Sequence, residues 1–431
     1  MRREDSVCVE KFRYGRGSME VAVPERNYAY DIVPPALART PSPATVLQTA
    51  LDVPIGTSRL EDLCRGKKRV AVVVNDLTRP TPTRLLLRSI LKRLRAVGVG
   101  EDIVTLLVAT GTHRPPTQEE LIEMIGEPTV STYRIISHDC RDSSTLLGLG
   151  ESPSGVPVVL NRPYCEADLR ILTGTIAPHQ SAGYSGGRKS IMPGLAGLES
   201  IRVHHSAAFR PDGPAMGCVE GNPFHEAATE IARMAPADFI VNVVQTGEDR
   251  IVGAVAGDME KAWYAGVSMC QRVCECRAPG RVDIVVVGAG GFPRDRDLYQ
   301  AQKAMASAEV VVKEGGVIVL VAECREGVGS PGFLNLMKRA TSPSDALRKF
   351  REEGYGEVGS SKGYLFARAL VKASLIVVSD RLGCEEAEIL HSRVVASADE
   401  ALRMAFAKVG ANARVAVIRN GVAVIPQCGE V

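Results

Sequence analysis

Three of the chain's seven histidines lie between Pro178 and His205. The stretch begins Pro178-His179-Gln180-Ser181-Ala182-Gly183-Tyr184-Ser185-Gly186-Gly187-Arg188-Lys189-Ser190 and ends at His204-His205. A glycine-rich turn with adjacent cations, Arg188 and Lys189, separates the histidines. Imidazole moves protons near neutral pH and ligates nickel, copper and zinc. Backbone N–H groups of such a turn, next to a cation, hold phosphate. Proton transfer, metal ligation and phosphate binding are therefore all open to this one stretch. The turn is not a P-loop, because Arg188 stands where a glycine should precede the lysine. Ser185, Gly186, Gly187 and Arg188 can still surround a phosphate.

Other polar groups follow apolar, β-branched runs. Asp76-Leu77-Thr78-Arg79 comes after the first strong run and Ala109-Thr110-Gly111-Thr112-His113-Arg114 after the second. Leu172-Thr173-Gly174-Thr175-Ile176-Ala177-Pro178-His179 repeats the pattern. Ligands of open α/β sheets sit at the carboxyl ends of strands. His113 and His179 are thereby placed to act as general acids or bases, and Asp76 and Arg79 to hold a carboxylate or phosphate. A fourth segment, Gly290-Gly291-Phe292-Pro293 through Tyr299-Gln300-Ala301-Gln302-Lys303, puts Gln300 and Lys303 on one helix face.

The elements behind these loops alternate. Strands are expected over 69–74, 103–108, 283–288, 317–321, 374–379 and 415–418, with helices over 83–96, 117–125 and 298–310. Thr117 and Glu120 make a capping box. Alternation predicts an α/β fold of two domains, each a largely parallel sheet flanked by helices, with the active site in the interdomain cleft. The Pro279-Gly280 region marks the boundary. Residues 1–275 form an N-terminal catalytic and cofactor-binding domain, and residues 276–431 a C-terminal domain closing the cleft. Residues 1–60 read as short strands and Pro-rich loops.

Bulk properties narrow the class. The 431 residues are 45% hydrophobic and 24% charged, with a net charge of +2. That balance is globular and gives no reason to expect nucleic acid as a partner. No apolar run is long enough to span a membrane, and no signal peptide is evident. The 11 scattered cysteines read as reduced thiols of a cytoplasmic protein.

In order and spacing, these motifs resemble the nickel-pincer-nucleotide-dependent lactate racemase family, from Asp76 to about Gly329. The resemblance implies an isomerase, a racemase or epimerase of 2-hydroxy acids. It implies His113 and His179 as the paired proton-transfer residues. Lys189 would carry the nickel-pincer nucleotide, a pyridinium mononucleotide bearing a thioamide and a thiocarboxylate, and His205 would ligate its nickel. Asp76, Arg79, Tyr299, Gln300 and Lys303 would face the substrate. Proteins of cofactor biosynthesis become expected partners. Two other readings stay open on the residues alone: a lyase or transferase using the turn for a phosphate or nucleotide, and a non-catalytic carrier of a nickel nucleotide.

Overall fold

A computed structural model describes residues 6–35, 40–211 and 213–429. Among the described residues the chain divides into two compact units, one of residues 40–211 and 217–273, the other of residues 6–35, 213–216 and 274–429.

The first unit is built on a six-stranded sheet in the order Ile251–Gly257, Phe239–Gln245, Leu169–Ile176, Val70–Asn75, Val104–Ala109, Arg134–Ser137. All neighbours are parallel except the Ile251–Gly257 edge strand. Residues 70–74 are an unbroken apolar run because both faces of this strand are covered. The Thr83–Ala96 helix buries Leu86, Leu87, Ile90, Leu91 and Leu94, the one-sided stripe expected of a helix lying on a sheet. Each such leucine contributes roughly 1.5–3 kcal/mol by leaving water. The capping box at Thr117 and Glu120 forms as its spacing requires.

The second unit carries a six-stranded sheet, parallel throughout, in the order Arg393–Val395, Ser374–Val378, Val312–Val321, Val282–Gly288, Val415–Ile418, Tyr28–Asp31. Its last strand comes from the N-terminal residues. Phe12, Val21 and Val23 of the preceding hairpin join the same core. The chain therefore enters this unit before it builds the first one, and the boundary expected near residue 276 marks its final entry.

Two local expectations differ from the structure. Residues 1–60 include a helix, Pro43–Asp52, whose start is set by the Ser42 side chain and Pro43. The expected helix over 298–310 is interrupted: Leu298–Ala301 and Met305–Val311 flank a 3-10 turn at Gln302–Ala304. Among the described residues, no helix is long and apolar enough to cross a membrane.

Candidate active site

Strand order in the first sheet reverses between Val70–Asn75 and Leu169–Ile176. From Val70–Asn75 the chain proceeds outward through Val104–Ala109 and Arg134–Ser137, then returns to the other side. The loops diverging from such a reversal leave a crevice at the carboxyl edge. Asp76 and His179 follow the two strands that flank it, and His113 follows the next strand along.

His113 Nδ1 lies 2.6 Å from Asp76 Oδ2. The other carboxylate oxygen accepts from the Thr78 backbone N–H at 3.1 Å and its hydroxyl at 2.7 Å. Burial alone would raise the Asp76 pKa. The bond to His113, its charge, Thr78 and Arg79 outweigh that and hold the carboxyl below its ordinary range. Asp76 is therefore an acceptor and His113 donates from Nδ1, so that in the neutral ring the lone pair is on Nε2. The Asp76 carboxylate, expected to face the substrate, is engaged with His113 and Thr78. Arg79 is half-buried, three residues further on.

His179 is held in the opposite sense. The backbone N–H groups of Ser181 and Ala182 donate to its Nδ1 at 3.2 and 3.1 Å. The lone pair is on Nδ1, and the neutral ring carries its proton on Nε2. Pro178–His179 pairs antiparallel with Gly183–Tyr184, so this loop folds straight back into the glycine-rich turn.

In that turn Gly186 adopts φ +77°, and a Cβ there would lie 2.7 Å from Asn242 Oδ1. That oxygen accepts the Gly187 N–H at 2.8 Å. The close approach needs glycine, and it sets the one-turn 3-10 helix Gly187–Ser190 that presents Arg188 and Lys189. Arg188 is 3% exposed and lies over the Trp263 ring at 4.1 Å. It donates to the Ala182 and Tyr184 carbonyls, and its Nε is buried without a hydrogen-bond partner. Burial pulls its pKa down to about 9, which leaves it a cation at neutral pH. Ser185 closes the turn, its hydroxyl donating to the Thr175 carbonyl at 2.7 Å.

Phe224 lies at the centre of the remaining groups. Lys189 Nζ is 5.3 Å from its ring centroid, the Arg210 guanidinium carbon 4.6 Å, and the His205 ring 4.9 Å. The Asn222 side chain caps the helix that carries Phe224 and donates from Nδ2 to the Ser181 carbonyl. It thereby ties that helix to the His179 loop.

A lysine amine and a histidine thus lie against one ring, among buried polar atoms that the protein does not satisfy. Both amide atoms of Gln180, Arg188 Nε and His225 Nδ1 have no hydrogen-bond partner. Buried polar groups are normally paired, so such a cluster marks a place for a polar ligand. The cations suit an anionic one. Among the described residues, no group of three His, Cys, Asp or Glu side chains could hold a metal. A metal on His205 therefore needs further donors from a bound group.

Comparison with known proteins gives the arrangement a family. Residues 14–217 match the model of the lactate racemase N-terminal domain, and residues 278–426 that of the C-terminal domain. A lactate racemase of Lactiplantibacillus plantarum is 36% identical over 419 residues, 96% of this chain and 98% of that protein. The chain belongs to the lactate racemase family. A second lactate racemase, from Thermoanaerobacterium thermosaccharolyticum, is 36% identical over 383 residues, 88% of this chain and 89% of that protein. The solved lactate racemase apoprotein from the same organism superposes with a TM-score of 0.91 at 33% identity, covering 97% of this chain and all of that one. A Thermotoga maritima structure with a TM-score of 0.68, at 16% identity, shares the fold. This lactate racemase family member is an isomerase of the racemase class, and its α/β, two-unit architecture is the family's.

Its remaining expected site residues lie in the second unit, beyond the carboxyl end of Val282–Gly288. Asp297 caps the Leu298–Ala301 helix through the Gln300 N–H at 2.7 Å. Lys303 Nζ donates to Gln300 Oε1, and Gln300 Nε2 is buried without a hydrogen-bond partner. Tyr299 is half-buried beside them.

Phe224, Trp263, Arg210, Asn222 and His204 were not singled out as site residues from sequence, although Asn222-Pro223-Phe224-His225-Glu226 carries a helix-start signal that marks the place. His225 stacks on Trp263 at 5.2 Å. Burial first, then the Arg188 and Lys189 charges, push its pKa down to about 3. Burial also lowers that of His138. In the unfolded chain both titrate near 6.5, so between about 6.5 and 3 the unfolded state binds more protons. Stability should therefore fall as pH drops through this window. Urea unfolding at about pH 7 and about pH 4.5 measures it, and His225→Phe should flatten the dependence. An unchanged profile would mean that His225 is charged or exposed in the folded protein.

Proposed function

We propose that this chain interconverts the enantiomers of a 2-hydroxy acid of the lactate class, using a nickel-pincer nucleotide carried on Lys189. The name shared by its relatives supports the substrate class. One observation carries the mechanism: two imidazoles, His113 and His179, on loops at the strand reversal, with opposite partners at Nδ1, a carboxylate for His113 and two backbone N–H groups for His179. A racemase must handle a hydroxyl presented on either side, so it needs two proton-transfer groups.

Lys189 would hold the nucleotide through its amine, and His205 would give nickel a protein ligand. Ser185, Gly186, Gly187 and Arg188 would surround the phosphate. When bound, this group would supply a hydride acceptor for the substrate's α-hydrogen. His113 takes the hydroxyl proton at Nε2, and the Asp76 carboxylate stabilises the imidazolium that results. His179 presents an N–H donor at Nε2. To serve as base for the other enantiomer, its ring must leave the Ser181 and Ala182 N–H groups. Arg79 would hold the substrate carboxylate, and the family resemblance assigns Tyr299, Gln300 and Lys303 to the substrate as well.

A panel of single-enantiomer 2-hydroxy acids, from lactate to longer aliphatic and aromatic ones, tests the reading on cofactor-loaded protein. Loss of optical activity with conservation of the acid is expected for at least one member. Dehydration or group transfer in its place would favour a phosphate-binding lyase or transferase. Loaded protein inert on the whole panel would favour a carrier.

A further inference from the structure

His204 has no role in the account so far, although it is fully buried beside His205. Its surroundings determine where the protons lie on both rings. His204 Nε2 is 2.9 Å from the Phe224 carbonyl, and His205 Nδ1 is 3.1 Å from the Ile201 carbonyl. A carbonyl oxygen only accepts, so both of these nitrogens carry hydrogen. The two Nδ1 atoms lie 3.3 Å apart. Since His205 Nδ1 is a donor, His204 Nδ1 must be the acceptor. The result is a relay from His205 through His204 to the Phe224 backbone, and it leaves the lone pair of His205 on Nε2. The same Phe224 packs its ring on His204 at 4.1 Å and lies under Lys189 Nζ.

We propose that His204 is a positioning residue that, sharing the Nδ1–H with the Ile201 carbonyl, holds His205 in the Nδ1–H tautomer, with Nε2 as the nickel donor, and fixes that donor relative to the cofactor-bearing lysine through Phe224. This rests on the reading of His205 as a nickel ligand. Metal-bound imidazoles commonly depend on such a partner at the second nitrogen, and its loss costs 10–100-fold in metal affinity.

The test uses protein co-expressed with the cofactor-synthesis enzymes, as wild type, His204→Phe and His204→Gln. Three quantities are read: the mass gain on the Lys189 peptide, nickel per adduct, and the rate of nickel loss to a chelator. His204→Phe keeps the ring volume but has no nitrogen. It should keep the adduct and lose nickel roughly 10–100-fold faster. Glutamine can accept from His205 and donate to Phe224, and should recover part of the retention. An adduct-bearing His204→Phe that holds nickel as wild type does would overturn the proposal. A second arm needs no variant: nitrogen-15 NMR of the cofactor-free wild type should find His205 protonated at Nδ1 and bare at Nε2, with His204 the reverse. A proton on His205 Nε2 would equally overturn it. Wild type with neither adduct nor nickel would remove the nickel reading itself, a result separate from the NMR outcome.

Discussion

His113→Ala and His179→Ala should each abolish racemisation in both directions, by at least roughly 10²–10⁴-fold in kcat/KM. The symmetry of the loss follows from thermodynamics. Enantiomers have equal free energy, so kcat/KM must be the same from either side, and a defect in one proton-transfer step appears in both directions. What differs between the variants is the half-reaction. With one imidazole left, one enantiomer still meets a base and is oxidised to a keto acid held on the enzyme, whereas the other is not. Rapid quench of a single turnover, with stoichiometric enzyme, should detect keto acid from one enantiomer in His113→Ala and from the opposite one in His179→Ala. Keto acid from the same enantiomer in both, or substantial racemisation by either, would remove the two-base assignment. Asp76→Asn should act through His113 alone. It should be milder than His113→Ala, because an amide still supports the ring but stabilises an imidazolium less.

Lys189→Arg should eliminate activity below detection and, with it, the covalent adduct. Arginine keeps a cation against Phe224, where Lys189 Nζ now lies 5.3 Å from the ring centroid. The turn and its packing should therefore survive. A guanidinium does not take the place of an amine in a thioamide link. The variant separates the charge of this residue from its chemistry: retained activity would mean that the lysine serves only as a cation. Circular dichroism and urea unfolding should match wild type, which keeps the result apart from a folding defect.

The placement of these candidate groups at the sheet edge was legible because they follow strands whose composition is unambiguous. Val70 to Asn75 and Val104 to Ala109 are apolar runs of buried parallel strands, and the polar residues after them fall at the carboxyl edge by the logic of the fold. The Thr117 and Glu120 cap was readable at a spacing of three. The Asp76–His113 bond was not, because it depends on Val70–Asn75 and Val104–Ala109 being sheet neighbours, 37 residues apart at the bonded pair. Phe224 was missed for the same reason. Nothing local distinguishes a phenylalanine on a helix start from any other core aromatic, and its meaning comes from Lys189, His205 and Arg210 converging on it. The N-terminal strand Tyr28–Asp31 pairs with Val415–Ile418, a contact across nearly the whole chain that no local pattern announces. The break at Gln302–Ala304 sits in a sequence with good helix formers, so local propensity gives no sign of it.

The central claim, a nickel nucleotide on Lys189 serving a racemase, is most directly tested by intact mass and nickel content of wild-type protein made together with the cofactor-synthesis enzymes. The account predicts a mass gain that maps to the Lys189 peptide, with about one nickel per chain as a single His205-bound ion requires. Absence of both, in cells where the cofactor-synthesis enzymes are shown to be active, would contradict it.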